Sequence, residues 1–294
     1  MKPMLAHHYT PQRAVFPCIG QPKLNGVRAM WLGTYLMSRG RPDEPGIEWH
    51  PGVLPHIFTA LKRLTELSGQ LLYLDGELYC HGKSLQEINS RVAVKRVSPH
   101  SSCFEIKLNI FDIISHAPFS KRMQWLRNMD ATVGTDPNIR DGIEFVESTY
   151  LNTPNEAESF YKLQKQLKFE GAMYRDPSSP YGMESLCGNK ENRWKYLLKR
   201  KSELDGEGII VGMEKGKAGK QFEHVMGAIL LELPNGKRFR AGSGVQIQHR
   251  ALITEIIDEL VANRTRVRYL YDELSDTGLP LRARIECIYD ERFA

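Results

Sequence analysis

The stretch Gln21-Pro22-Lys23-Leu24-Asn25-Gly26-Val27-Arg28 decides how the rest of the chain is interpreted. Residues 16–19 before it and residues 27–32 have the apolar content and alternation of β-strands, which predicts that Lys23 lies in a loop between two strands. Gly26 allows a tight turn or a close approach of the backbone. A lysine amine is nucleophilic only when deprotonated, so it needs nearby cations or burial to lower its pKa. Taken alone, this spacing is also common in ordinary solvated turns.

The whole chain has the composition of an ordinary globular protein. Of its 294 residues, 41% are hydrophobic and 26% are charged, which excludes a disordered or collagen-like chain. At about 150 residues per domain, the length predicts two domains. No apolar run approaches the ~20 residues of a membrane helix, and the N-terminus lacks the pattern of a secretory signal. Five scattered cysteines without a C-x-x-C pair argue against disulfides or a cysteine zinc site and suit a reducing compartment.

The pattern of predicted elements changes near residue 200. Before that point strands and helices are interspersed, with strands at residues 16–19, 27–32, 35–38, 71–79, 106–110 and 170–174 and helices at 57–67, 85–92 and 154–167. After it, strands are predicted at residues 208–213, 225–233, 237–241, 267–271 and 281–289, with a helix at 247–261. One helix between the third and fourth of five strands is the order of an OB barrel. We therefore expect an α+β fold, with a larger domain of antiparallel sheets and helices at residues 1–200 and a small OB-fold β-barrel at 201–294.

The charge balance permits a polyanionic partner without establishing one. The 40 Lys and Arg residues against 35 Asp and Glu give a formal net charge of +5, which is a mild excess. Basic residues recur at the ends of predicted strands, at Arg28, Arg39, Lys199 and Lys201. Such residues could lower the pKa of Lys23 and also hold phosphates.

Six short motifs follow one another over residues 21–201: Lys23-Leu24-Asn25-Gly26-Val27-Arg28, Ser38-Arg39, Asp75-Gly76-Glu77, Phe111-Asp112, Glu170-Gly171-Ala172-Met173 and Leu197-Leu198-Lys199-Arg200-Lys201. In this order and with these gaps they resemble the motifs of the ATP-dependent DNA ligases. That family belongs to the nucleotidyltransferase superfamily, which also holds RNA ligases and mRNA capping enzymes. Asn25 stands where the family usually has Asp, so a role there that depends on charge is in doubt.

The resemblance implies a role for each motif. Lys23 would attack the α-phosphate of ATP and form lysyl-AMP, and Lys199 and Lys201 would neutralise that phosphate in the transition state. Magnesium would be the metal, held by Glu170 and by Glu77. The nucleotide and the nick would be bound by Gln21 at the adenine edge, Phe111 stacked on adenine, Glu77 at the ribose hydroxyls, Arg28 and Arg39 at the ribose and the nick phosphate, and Glu170 through the metal.

The resemblance as a whole implies an ATP-dependent DNA ligase that seals nicks with a 5′-phosphate and a 3′-hydroxyl in duplex DNA. Residues 1–200 would form the adenylation domain. ATP and nicked duplex DNA would be its substrates, and we expect a cytoplasmic monomer of a bacterial or phage-infected cell, without a membrane partner. An RNA ligase shares the same first step. A capping guanylyltransferase fits less well because its C-terminal R-x-D-K motif is missing, and a non-catalytic OB-fold nucleic-acid-binding protein leaves the six motifs unexplained.

Overall fold

The computed structural model describes residues 2–40, 44–93, 95–182 and 193–293. The chain divides into two compact units, Met1–Lys201 (unit 1) and Ser202–Ala294 (unit 2). Among the described residues, no helix combines the length and the apolar character that crossing a membrane requires.

The described residues of unit 1 form two five-stranded sheets and five helices. Its strands are β1 (Leu5–His8), β2 (Cys18–Lys23), β3 (Val27–Leu32), β4 (Leu36–Ser38), β5 (Tyr73–Tyr79), β6 (Lys107–Ile113), β7 (Ile143–Phe145), β8 (Thr149–Leu151), β9 (Gly171–Arg175) and β10 (Arg193–Lys201). Its helices are α1 (Pro55–Ser68), α2 (Leu85–Val92), α3 (Phe119–Val133), α4 (Pro137–Arg140) and α5 (Pro154–Gln166). The first sheet has the strand order β1-β10-β9-β2-β8 and the second the order β4-β3-β5-β6-β7. Only the β1–β10 and β6–β7 pairs of these described strands are parallel.

The helices cover the sheets with the residues that the apolar spacing predicts. In α1, Ile57, Leu61 and Leu64 are fully buried in the core of the second sheet. The helix ends at Gly69, whose φ of 67° is the left-handed conformation that glycine adopts without strain. Helix α5 begins as predicted at Thr153, whose side chain accepts a hydrogen bond from the Glu156 N–H.

Strand β2 runs further than the sequence predicts. It continues through Pro22 to Lys23, so the prediction of a loop at Lys23 is wrong. The Lys23 carbonyl accepts from the Glu170 N–H on the side of β9, so the alternation of the strand turns the Pro22 nitrogen to the other side. There β8 pairs with β2 only as far as Gly20, so no ladder hydrogen bond is lost at the proline.

Helix α3 is absent from the elements predicted above. Its buried apolar residues nevertheless recur at helical spacing, at Phe119, Met123, Leu126, Met129 and Val133. An arginine, Arg122, is also buried on this inner face.

Unit 2 contains one five-stranded antiparallel sheet with the order β13-β12-β11-β14-β17. Its strands are β11 (Leu204–Lys215), β12 (Met226–Glu232), β13 (Arg238–Ala241), β14 (Arg266–Tyr271) and β17 (Arg284–Ile288). Strands β15 (Glu273–Leu274) and β16 (Pro280–Leu281) form a separate two-stranded sheet, and the helix is α6 (Ile247–Ala262). The helix lies between the third and fourth strands of the sheet in chain order, as predicted. The predicted strand 281–289 is interrupted at Arg282, whose φ of 55° is left-handed. The sheet is open, unlike the expected barrel, since a single bridge between Ser243 and Arg284 links its two edges.

Helix α6 ends in a left-handed residue that is not glycine. Arg264 has a φ of 50°, its N–H donates to the Val261 carbonyl, and the Thr265 N–H donates to the Leu260 carbonyl. These two bonds form a Schellman motif, in which glycine is the preferred residue.

We expect Arg264→Gly to raise the free energy of unfolding by about 1 kcal/mol, because the left-handed conformation strains any residue with a Cβ. Urea denaturation of the full chain measures the effect. Arg264→Ala is the matched control, since it removes the same side chain but keeps the Cβ. An equal gain in both variants would show that backbone strain is not the cause.

Candidate active site

Three adjacent strands of the first sheet bring the candidate lysines together. Lys23 on β2 and Lys201 on β10 both pair with Gly171 on β9. Two residues before Lys201 on β10, Lys199 pairs with Met173 on β9. Directly paired residues, and residues two apart on one strand, share a face of the sheet, so the three lysines lie on one face.

Glu170 enters this group because of a close approach at Gly171. A Cβ added to Gly171 would lie 2.0 Å from the Arg200 carbonyl oxygen, so only glycine lets β9 and β10 meet here. The Glu170 carboxylate forms an ion pair with the Lys23 amine, and its other oxygen lies 3.9 Å from Lys201 Nζ. The three lysines and Glu170 thus form one cluster of three cations around one carboxylate.

Gly26 allows a similar close approach of the backbone to strand β5 of the second sheet. Its N–H donates to Glu77 Oε1 at 2.6 Å, and an added Cβ would lie 2.3 Å from the Leu78 carbonyl oxygen. Burial raises the pKa of the Glu77 carboxyl, and the charge of Lys23, the Gly26 N–H and the charge of Arg28 oppose that shift. The turn between β2 and β3 therefore holds a second carboxylate beside the lysine cluster.

Arg28 and Phe111 lie together on the second sheet. The Arg28 guanidinium donates to both oxygens of the buried Asp75 carboxylate, with Nε 2.5 Å from Oδ1. Tyr181 donates its hydroxyl to Asp75 Oδ2 at 2.5 Å. The guanidinium carbons of Arg28 and Arg175 lie 4.7 and 5.4 Å from the centre of the buried Phe111 ring. The aromatic ring predicted to stack on adenine is thus flanked by two cations.

Gln21 is 1% exposed and is tied into the interior. Its Nε2 donates to the Phe111 carbonyl at 3.0 Å and to Ser148 Oγ at 2.9 Å, and its Oε1 accepts from Arg175 Nε at 2.8 Å. The partners Arg175 and Ser148 are absent from the predicted site. Arg175 stands five residues after Glu170, and this offset alone carries no indication of the contact.

Arg39 is exposed and follows β4, at the edge of the second sheet, whereas the other predicted residues lie on or next to inner strands of the two sheets.

Among the described residues, no group of three or more His, Cys, Asp or Glu side chains could hold a metal ion. Glu170 forms an ion pair with Lys23, and the charge of Lys23 opposes the rise in the pKa of Glu77, so both carboxylates lie near this lysine. Two carboxylates fit Mg²⁺, because this ion usually takes one or two protein carboxylates and completes its shell with water and substrate phosphates.

The pKa of Lys199 is lowered to about 8 by burial and by the charges of Lys201, Lys23 and Arg193, against the opposing effect of Glu170. The unfolded chain binds this proton up to the usual pKa of 10.5. Between pH 8 and 10.5 the unfolded state therefore holds more protons than the folded state, and stability due to Lys199 increases with pH.

We expect the free energy of unfolding to rise more steeply between pH 8 and 10.5 in the wild type than in Lys199→Met. The variant cannot carry the buried charge, so it gains most over the wild type at pH 7 and least at pH 10.5. Urea denaturation across this range compares the two proteins. Parallel curves would contradict the lowered pKa.

Comparisons with known proteins show the family to which the chain belongs. Residues 3–201 match the family model described as ATP dependent DNA ligase domain, and residues 216–288 match the DNA ligase OB-like domain. A DNA ligase of African swine fever virus is 32% identical over 286 residues, which cover 90% of this chain and 62% of the viral protein. A second isolate's DNA ligase is 30% identical over 307 residues, covering 96% of this chain and 67% of its own length. The chain thus spans about three fifths of the first curated relatives that it matches.

Two solved structures have a similar fold. A structure of a Lig E DNA ligase, described as binding DNA with a minimal scaffold, is 21% identical and covers 98% of this chain and 99% of its own, with a TM-score of 0.75. Chlorella virus DNA ligase-adenylate is 22% identical, covers 99% and 98%, and has a TM-score of 0.51. Since the first family model covers more than half of the residues, this chain belongs to the ATP-dependent DNA ligase family.

Proposed function

We propose that the chain is an ATP-dependent DNA ligase that seals nicks between a 5′-phosphate and a 3′-hydroxyl in duplex DNA. The observation that carries the proposal is the Lys23 amine, which lies at the end of a central strand against Glu170 and on the same face as Lys199 and Lys201. One amine among cations and a carboxylate is suited to attack a phosphate and to stabilise the charge that develops there.

In the first step, Lys23 Nζ attacks the α-phosphorus of ATP. A nitrogen–phosphorus bond forms, and the bond from phosphorus to the pyrophosphate oxygen breaks. The amine has to lose its protons, and the Glu170 carboxylate in contact with it is placed to accept one. An oxygen of the nick's 5′-phosphate then attacks the AMP phosphorus, so that the nitrogen–phosphorus bond breaks and the Lys23 amine leaves. The 3′-hydroxyl attacks the 5′-phosphate, the phosphodiester forms, AMP leaves and the hydroxyl proton passes to solvent.

Lys199 and Lys201 would hold the α-phosphate oxygens. The Lys199 pKa of about 8 leaves its amine mostly charged at neutral pH, and an arriving phosphate would balance the excess of three lysines over the single Glu170 carboxylate. A bound Mg²⁺, held by Glu170 and Glu77, would neutralise phosphate charge and orient the leaving pyrophosphate.

The second sheet would bind the nucleoside. Glu77 would accept hydrogen bonds from the ribose hydroxyls, Phe111 would stack on adenine, and Gln21 would form hydrogen bonds with the adenine edge. Arg28 would contact the ribose and the nick phosphate while Asp75 fixes its guanidinium. Arg39 would contact the nick phosphate from the edge of the sheet.

Unit 2 offers exposed arginines for the DNA backbone. Arg238 and Arg240 on β13 both point outward and are each 67% exposed at the side chain. Their ion pairs with Glu232 and Glu214 are superficial, and such pairs contribute less than about 1 kcal/mol, so DNA phosphates could replace these carboxylates. Contacts of this kind fix the position of the duplex without reading its sequence.

Incubation with ATP and magnesium should add one AMP to the wild-type chain, as measured by intact mass spectrometry. Lys23→Ala should take up none because the nucleophile is gone. Lys23→Arg should also fail, because a guanidinium stays protonated at neutral pH. An adduct on either variant would place the nucleophile elsewhere, and no adduct on the folded wild type would refute the proposed function.

Binding to a nicked duplex should weaken steeply with salt. If six phosphates are neutralised, log K should fall against log salt with a slope of about −5. The double variant Arg238→Gln, Arg240→Gln should make this slope shallower by about 2, since two phosphate contacts are lost. Fluorescence anisotropy at several salt concentrations measures both.

The control is Arg63→Gln on α1, which removes an arginine of 48% side-chain exposure from unit 1. It should leave the slope unchanged. A wild-type slope near zero would contradict a DNA substrate, and equal effects of the two variants would show that the β13 arginines have no particular part in binding.

A further inference from the structure

The guanidinium of Arg28 binds Asp75 along one edge and keeps one nitrogen for a ligand. Its Nε donates to Asp75 Oδ1 at 2.5 Å, and its Nη2 donates to Oδ2 of the same carboxylate. Nη2 also lies 3.4 Å from the Met4 carbonyl oxygen. No acceptor among the described residues is bonded to Nη1, and the Arg28 side chain is 19% exposed. The two N–H groups of Nη1 therefore remain for a ligand.

The direction of Nη1 depends on the Asp75 carboxylate, which is fully buried. Two parallel hydrogen bonds join the guanidinium to the carboxylate, so the planes of the two groups turn together. The terminal torsion of an aspartate is soft, so the carboxylate needs a further partner to hold it in one orientation. Among the described residues that partner is Tyr181, whose hydroxyl donates to Asp75 Oδ2 at 2.5 Å.

Tyr181 is itself held in place. It lies in the connection between β9 and β10 and is fully buried, in one apolar cluster with Met4 and Trp194. Its N–H donates to the Ser115 carbonyl at 3.1 Å. Burial and the charge of Asp75 raise the pKa of the Tyr181 hydroxyl well above its usual value, so the hydroxyl keeps its proton and donates at neutral pH.

The hydrogen bond from Tyr181 to Asp75 links the two sheets of unit 1. Tyr181 follows β9 of the first sheet along the chain, whereas Arg28 lies on β3 and Asp75 on β5 of the second sheet. Arg28 pairs across the strands with Glu77, whose carboxylate accepts from the Gly26 N–H. The hydroxyl thus fixes an arginine that lies next to the turn after the candidate nucleophile.

We propose that Tyr181 is a positioning residue, which holds Asp75 and through it directs Nη1 of Arg28 at the 5′-phosphate of the nick. This inference rests on the proposed function, in which Arg28 contacts that phosphate. A hydrogen bond to a phosphate oxygen is strong only when the N–H points at the oxygen. Without the hydroxyl, the carboxylate and the guanidinium turn as a unit, and Nη1 faces the phosphate for only part of the time.

Tyr181→Phe tests the inference because it removes a single oxygen from a buried ring. The rate of sealing of a pre-adenylated nick, at DNA concentrations below saturation, should fall by about tenfold relative to the wild type.

Tyr174→Phe is the matched control. Tyr174 is 2% exposed, and its hydroxyl donates to the Ala157 carbonyl at 2.9 Å. It follows Met173 on β9, so it lies on the face of the first sheet opposite to the three lysines. This variant loses the same buried group from the same unit, and its sealing rate should stay within about twofold of the wild type.

A double variant separates positioning from a general structural role. Arg28→Lys keeps a cation for Asp75 but has no second nitrogen to direct at a phosphate. Addition of Tyr181→Phe to Arg28→Lys should therefore lower the sealing rate by less than about twofold further. A residue that only stabilises the fold would lower the rate by the same factor in both backgrounds.

Urea denaturation establishes that each variant is folded. Equal sealing rates of Tyr181→Phe and Tyr174→Phe would overturn the inference and leave the proposed function standing. So would a tenfold loss from Tyr181→Phe in both the wild-type and the Arg28→Lys backgrounds. If Tyr181→Phe does not fold, Tyr181→Met takes its place, since it also lacks the donor and should show the same loss. A folded wild type that neither forms an adduct with ATP nor seals the nick would refute the proposed function, and the inference with it.

Discussion

The carboxylate of Asp112, fully buried where the two sheets of unit 1 meet, is the interaction on which the rest of the candidate site depends. It belongs to β6 of the second sheet, and it holds Arg175 of β9 in the first sheet together with Arg122 of α3. Loss of one partner from a buried ion pair costs about 3–5 kcal/mol. The two sheets are therefore fixed in one arrangement, in which Gln21 reaches the backbone of Phe111.

Two glycines then bring the charged groups close enough to act together. At Gly171 the backbone passes so near to Arg200 that Glu170 comes between Lys23 and Lys201. At Gly26 the turn after Lys23 approaches β5 and binds Glu77. Gly171 directly follows Glu170, and Gly26 lies three residues after Lys23, so the glycines of these two motifs are explained by the limited space between strands.

The sequence predicts the parts of the site that lie within one motif, and it fails where a contact joins distant segments. Most strands and the helices α1, α2, α5 and α6 follow from apolar spacing, and the motifs bring Lys23, Glu170, Lys199 and Lys201 to notice. From the sequence alone, Pro22 predicts a loop, because proline cannot donate a ladder hydrogen bond. In the structure β8 pairs with β2 only as far as Gly20, so no such bond is required at Pro22. The contact from Gln21 to Arg175 joins residues 154 positions apart, and no local pattern encodes it.

The most direct test of this account is a crystal structure of the chain after incubation with ATP and magnesium. We expect density that continues from Lys23 Nζ into an AMP phosphate, with the purine against Phe111 and its 6-amino group within hydrogen-bond distance of Gln21 Oε1. The pair Lys23–Glu170 should be broken, while Asp112 keeps both arginines. AMP attached to another lysine, or a purine that lies away from Phe111 and Gln21, would contradict the account.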